Sequence, residues 1–134
     1  MPLPRGHIPP SQMQKAVCIV DDDEWVADSL QALLETFGFN MRLYTSGAEF
    51  LADERGRLAG CLVIDQHMPG ISGLDVIESL RKRGIQIPTI LISGRLDGNV
   101  RQRAARLGVR ELLDKPFAPG RLVELIRKTL ADVA

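Results

Sequence analysis

Short, unbroken apolar runs alternate with longer amphipathic stretches along this chain, and the alternation repeats five times. Ala16–Val20, Cys61–Ile64 and Pro88–Ile92 carry almost nothing polar, the pattern of parallel strands buried on both faces. Asn40–Tyr44, where Met41 and Leu43 alternate with polar neighbours, predicts a further strand, and Leu112-Leu113 a short fifth. Helical spacing fills the intervals. Val26, Leu30, Leu33 and Leu34 form a stripe from about Trp25 to Phe37, and Gly38 stands where the helix would stop. Ser46 is placed to cap a short helix holding Phe50 and Leu51. Ser72 with Asp75 resembles a capping box for a helix running through Val76, Ile77 and Leu80 to Gly84. Val100, Ala104 and Leu107 mark a fourth helix, from about Gly98 to Leu107, with Gly108 behind it. Pro119 suits the first position of the last helix, whose buried face is Leu122, Leu125, Ile126, Leu130 and Val133.

Alternation of this kind implies a parallel sheet with helices on both faces, joined by right-handed crossovers. Five units match an α/β, flavodoxin-like doubly wound (βα)5 fold with strand order 2-1-3-4-5. In such folds ligands sit beyond the carboxyl ends of the strands, so the residues found there matter most. The first strand gives way to Asp21-Asp22-Asp23-Glu24, the third ends in Asp65, the fourth at Ser93-Gly94 and the fifth at Lys115-Pro116. Four distant stretches therefore converge on one crevice. Carboxylates from two strand ends repel one another there unless a cation sits between them, and oxygen donors of this kind suit Mg²⁺.

Composition narrows the class without adding chemistry. The chain has 134 residues, 45% hydrophobic and 25% charged, which describes one globular domain. Lys plus Arg equals Asp plus Glu at 17 each, so no global field recruits nucleic acid or an anionic membrane. Residues 1 to about 14 form a Pro-rich tail expected to be extended or disordered, with residues 15–134 forming the domain. Met1 to Pro10 lack the apolar core of a signal peptide, and no later segment approaches a membrane span. Cys18 and Cys61 fall inside strands, where they are expected to be buried free thiols. A cytoplasmic location fits these features.

These residues resemble the receiver domain of two-component response regulators, over roughly residues 15 to 133. The family pattern is an acidic pair after strand one, a phosphoacceptor Asp after strand three, Ser or Thr after strand four and Lys-Pro after strand five. Here Asp21-Asp22, Asp65 in Asp65-Gln66-His67-Met68-Pro69 with Gly73 following, Ser93 and Lys115-Pro116-Phe117 stand at those places. The resemblance implies that Asp65 accepts the phosphoryl group, with Ser93 and Lys115 contacting it. It further implies Mg²⁺ held by Asp21, Asp22, Asp65 and the backbone carbonyl of His67. Implied partners are a sensor histidine kinase or histidine phosphotransfer protein, and a downstream effector or output domain. Homodimerisation on phosphorylation belongs to the same expectation. Direct nucleic-acid binding by this domain does not, although the chain could be the regulatory part of a DNA-binding transcription regulator.

Several residues invite other readings. Asp23 and Glu24 suit a helix start, where acids meet open N–H groups, better than they suit chemistry. The His67 imidazole is a poor ligand for Mg²⁺; with the side chain of Arg95 it is expected to flank the phosphate. Trp25 is expected to be partly buried. Arg95, Arg101, Arg103, Arg106 and Arg110 make the fourth helix and its flanks basic, either as a solvated face or as a docking surface for an acidic partner. Receivers commonly carry Tyr or Phe three residues before the lysine, where this chain has Leu112. Two other functions compete. A pseudo-receiver would bind partners without phosphorylation, and Leu112 favours it. A phosphohydrolase with an aspartate nucleophile generally needs an Asp two residues later, where His67 stands.

Overall fold

A computed structural model describes residue 8 and residues 10–132. Five parallel strands, β1 (Val17–Val20), β2 (Met41–Tyr44), β3 (Cys61–Asp65), β4 (Thr89–Ser93) and β5 (Glu111–Asp114), form one sheet in the order β2-β1-β3-β4-β5. Five helices alternate with them: α1 (Glu24–Thr36), α2 (Gly47–Ala52), α3 (Gly73–Lys82), α4 (Gly98–Arg106) and α5 (Pro119–Ala131). This is the doubly wound order expected from the alternation. The order reverses between β1 and β3, and a crevice opens at that switch point.

Burial explains the unbroken apolar runs. Cys18, Val20, Leu62, Ile64 and Leu91 face a layer built by α2, α3 and α4, with Phe50, Leu74, Val76, Ile77, Leu80 and Ala104. Val17, Ile19, Cys61, Val63, Ile90 and Ile92 face the opposite layer, where Leu30 and Leu34 of α1 meet Leu122, Leu125 and Ile126 of α5. Both thiols are buried and free, and burial pushes each up to about 12, so they stay protonated at neutral pH.

Local signals set the element ends. Asp23 caps α1 by accepting N–H bonds from Trp25 and Val26, and Ser46 caps α2. Ser72 and Asp75 form a reciprocal capping box on α3, and Pro119 opens α5. Gly38 follows α1 at φ +80°, a left-handed turn that side chains resist.

Two expectations fail. The segment expected to be disordered holds a 3-10 helix at Pro10–Lys15, and Ile8 and Met13 are buried in the core against the α2–α3 layer. Residues 1–7 and 9 of that tail lie outside the described residues, as does Val133. Trp25 is 80% exposed rather than partly buried. Its position explains why: the buried line of α1 is Ala27, Leu30 and Leu34, and Trp25 lies two residues from Ala27, near the opposite side of the helix.

Candidate functional site

The crevice is assembled by backbone register. Val20 pairs with Ile64 across β1 and β3, Asp65 with Ile92 across β3 and β4, and Ser93 with Asp114 across β4 and β5. The sheet bonds continue one residue past the strands, through Asp21 N–H to the Tyr44 carbonyl and Lys115 N–H to the Ser93 carbonyl. Asp21, Asp65, Ser93 and Lys115 are thereby brought to one edge as a consequence of pairing. Lys115 precedes a cis peptide bond to Pro116.

Ligand oxygens of Asp21, Asp22 and Asp65 all lie within 4.8 Å of one another. Asp21 and Asp65 are buried, whereas Asp22 is exposed. Burial, followed by the neighbouring charges of Asp65 and Asp22, holds the Asp21 carboxyl above its usual range, against the opposing bond from Asp23 N–H at 2.9 Å. Lys115 Nζ donates to Asp65 Oδ2 at 2.9 Å. Burial alone would lower the Lys115 value, but that bond and the surrounding carboxylate charge outweigh it and raise the ammonium above its ordinary range. Three carboxylates against one ammonium leave excess negative charge in an oxygen-only donor set. Such a set fits a small, hard divalent cation, and its crowding supplies the driving force to bind one.

The loop after Asp65 is tightly packed. Its other oxygen, Oδ1, accepts the His67 backbone N–H at 3.1 Å. Gln66 Oε1 accepts Leu74 N–H at 2.8 Å, and the Gln66 carbonyl accepts Gly73 N–H, tying the start of α3 back onto the loop. Glycine is required at 73 by proximity, because a Cβ there would lie 2.6 Å from the Asp65 carbonyl oxygen. Ser93, with no measurable exposure, accepts the Arg95 backbone N–H at 3.0 Å, and its Oγ lies 3.1 Å from His67 Nε2. Nothing in the sequence signals this last contact, between residues 26 apart. Arg95 meets the site through its backbone while the residue stays exposed. Leu112 packs, half-buried, against the layer formed by α3 and α4.

The family model for the response regulator receiver domain matches residues 17–127. The chain belongs to that family. This receiver is 36% identical to the response regulator protein TmoT of Ectopseudomonas mendocina over 96% of its own length and 57% of TmoT. It is 37% identical to the transcriptional regulatory protein FixJ of Azorhizobium caulinodans, over 88% of this chain and 56% of FixJ. The crystal structure of FixJ-N superposes with a TM-score of 0.78 at 33% identity, covering 87% of this chain and 93% of that one. The chain thus spans about half the length of the curated relatives it matches. The family is that of the receiver domains of two-component response regulators.

The basic fourth helix expected from sequence is only partly free. Arg103 bonds Asp75 and Glu78 of α3 at 2.7 Å each, and Arg110 pairs with Asp132 at 3.5 Å. Arg95, Arg101 and Arg106 are exposed. Among the described residues no helix is long and apolar enough to cross a membrane.

Proposed function

We propose that Asp65 is the phosphoacceptor and that this receiver catalyses its own phosphorylation with Mg²⁺. The observation that carries the reading is the Lys115 ammonium on Asp65 Oδ2 at 2.9 Å, inside a cluster of three carboxylates. Phosphoryl transfer needs positioning and neutralisation of charge more than covalent assistance, and this arrangement offers both. An Asp65 oxygen attacks phosphorus as the P–N bond of a phosphohistidine, or the P–O bond of an acyl phosphate, breaks. Lys115 is placed to transfer its bond from the carboxylate to a phosphoryl oxygen, as a point charge. Ser93 donates its hydroxyl to another oxygen. Asp21, Asp22, Asp65 and the His67 backbone carbonyl hold the cation, which when bound offsets the charge on phosphoryl and acceptor oxygens.

The donor is a sensor histidine kinase or a histidine phosphotransfer protein in the cytoplasm. The recipient of the signal is an output domain or a separate effector; TmoT and FixJ, of which this chain covers 57% and 56%, support regulators longer than this receiver. With Leu112 at the usual aromatic position, no ring rotation is available. The signal leaves instead through the loop after Ser93 and α4, and homodimerisation follows from it.

Intact mass after incubation with acetyl phosphate and Mg²⁺ tests the reading. One added phosphoryl group is expected, absent from Asp65→Asn and from a metal-chelated control. No adduct after rapid quenching, even with a phosphohistidine donor, would overturn the proposal in favour of a pseudo-receiver.

A further inference from the structure

The bond between His67 Nε2 and Ser93 Oγ has no part in the phosphoryl chemistry described above, yet it engages the hydroxyl which that chemistry needs. A serine hydroxyl has one proton and two lone pairs. The Arg95 N–H, at 3.0 Å, fills one lone pair. With the imidazole proton on Nδ1, Nε2 accepts the hydroxyl proton, the only one Ser93 can give. With that proton on Nε2, the imidazole fills the second lone pair. Only the Nδ1–H tautomer engages the hydroxyl proton; with the proton on Nε2 the hydroxyl is left free to donate elsewhere. Ser93 is buried at the end of β4, whereas His67 and Arg95 are exposed and reach it from the rim of the crevice.

We propose that His67, as its Nδ1–H tautomer, is a positioning residue that latches Ser93 in the unphosphorylated protein, so that a phosphoryl group must displace the imidazole before Ser93 can bond it. The inference rests on the receiver chemistry proposed for Asp65. His67 sits on the acceptor loop itself, with its backbone N–H bonded to Asp65 Oδ1 at 3.1 Å. The restraint on Ser93 is therefore anchored to the residue that becomes modified. Leu112 has no polar group to share in holding the hydroxyl, which leaves this side-chain contact and the Arg95 N–H as its described partners. A latch of this kind opposes the phosphorylated arrangement: breaking it is part of the free energy of switching, and removing it shifts the population toward the active state.

The test is a titration of the full chain with beryllofluoride, a phosphoryl mimic that bonds a carboxylate and does not turn over, at saturating Mg²⁺. Trp25, the one tryptophan, supplies the fluorescence signal from the start of α1. His67→Ala is expected to bind roughly two- to tenfold tighter than wild type, the equivalent of one neutral hydrogen bond. His67→Gln, whose amide can bond Ser93, is expected to return toward wild-type affinity. In a Ser93→Ala background His67→Ala should have no effect. Equal affinity of wild type and His67→Ala would overturn the latch. So would an undiminished gain in the Ser93→Ala background, since the imidazole would then act on the ligand directly. Both results leave the receiver chemistry standing. Failure of wild type to bind beryllofluoride at all would overturn that chemistry and the latch with it.

Discussion

Among single residues, Asp21 carries the largest conflict between folding and function. It is 2% exposed, and burial together with Asp65 and Asp22 holds its carboxyl above the usual range. A carboxyl raised on folding binds more protons folded than unfolded, so it makes stability fall as pH rises above the ordinary carboxylate value of 3.8. At neutral pH its charge therefore opposes folding of the metal-free protein. Asp21→Asn keeps an oxygen to accept the Asp23 N–H and removes that charge. The variant is expected to melt a few degrees higher than wild type in chelator, a gain on the order of 1 kcal/mol. The order should reverse or close in Mg²⁺, because ligand that binds only the folded state stabilises it and the variant has lost a ligand. Thermal melts with and without Mg²⁺ decide this. A lower melting temperature for the variant in chelator would mean that crowding at Asp21 is not what destabilises the metal-free site.

At the scale of elements, the acceptor loop and α3 act as one unit because Gly73 lets the helix start touch the backbone of Asp65. A methyl group there would sit 2.6 Å from the Asp65 carbonyl oxygen and 3.0 Å from Leu91 Cδ1. Gly73→Ala is expected to cost about 1–3 kcal/mol by overpacking. It should also slow phosphorylation, since relief requires moving Asp65. Gly120→Ala is the control: it lies in the first turn of α5 with nothing within 4 Å, and should leave both melting temperature and phosphorylation rate nearly unchanged. Equal behaviour of the two variants would remove the close approach from the argument. The same loop marks how far sequence carries. Helix caps at Asp23, Ser46 and Ser72, and the acids at strand ends, were legible because each depends on neighbours a few residues away. Parallel register then brings Asp21, Asp65, Ser93 and Lys115 to one edge, so the gross site was legible too. Contacts set by loop conformation were not: Gln66 on Leu74 N–H, and His67 on Ser93, have no periodic or compositional signature. Burial of Ile8 and Met13 escaped for a related reason. Two apolar residues without a period among prolines look solvated until the core they cover exists.

Across the whole molecule, the two helices flanking β4 are attached very differently. α3 buries Leu74, Val76, Ile77 and Leu80, whereas α4 buries Ala104 alone, with Val100 and Leu107 half-buried. Polar ties hold α4 instead: Arg103 to Asp75 and Glu78 at 2.7 Å, and Arg81 Nε to the Leu107 carbonyl at 3.0 Å. An element held by few apolar contacts opens at low free-energy cost, and this one follows directly on the loop from Ser93. Asp75 also belongs to the α3 cap, which Gly73 and Gln66 tie to the acceptor loop. The clamp thus joins the acceptor side of the crevice to α4. Arg103→Ala is expected to lower the melting temperature only slightly, because the ion pairs are largely exposed. It should nevertheless speed amide exchange severalfold across residues 94–107 without phosphorylation. The pH dependence has a definite sign. Arg103 holds the Asp75 and Glu78 carboxyls below their usual range, so their contribution is present above the ordinary carboxylate values and lost as pH falls through the depressed ones. Wild type and variant should therefore converge in acid, and also in high salt, where exposed charges are screened. Exchange measured at neutral pH and low salt separates the outcomes. Unchanged exchange in α4 would mean its apolar contacts suffice, and would move the exit of the signal to β5 and the packing of Leu112.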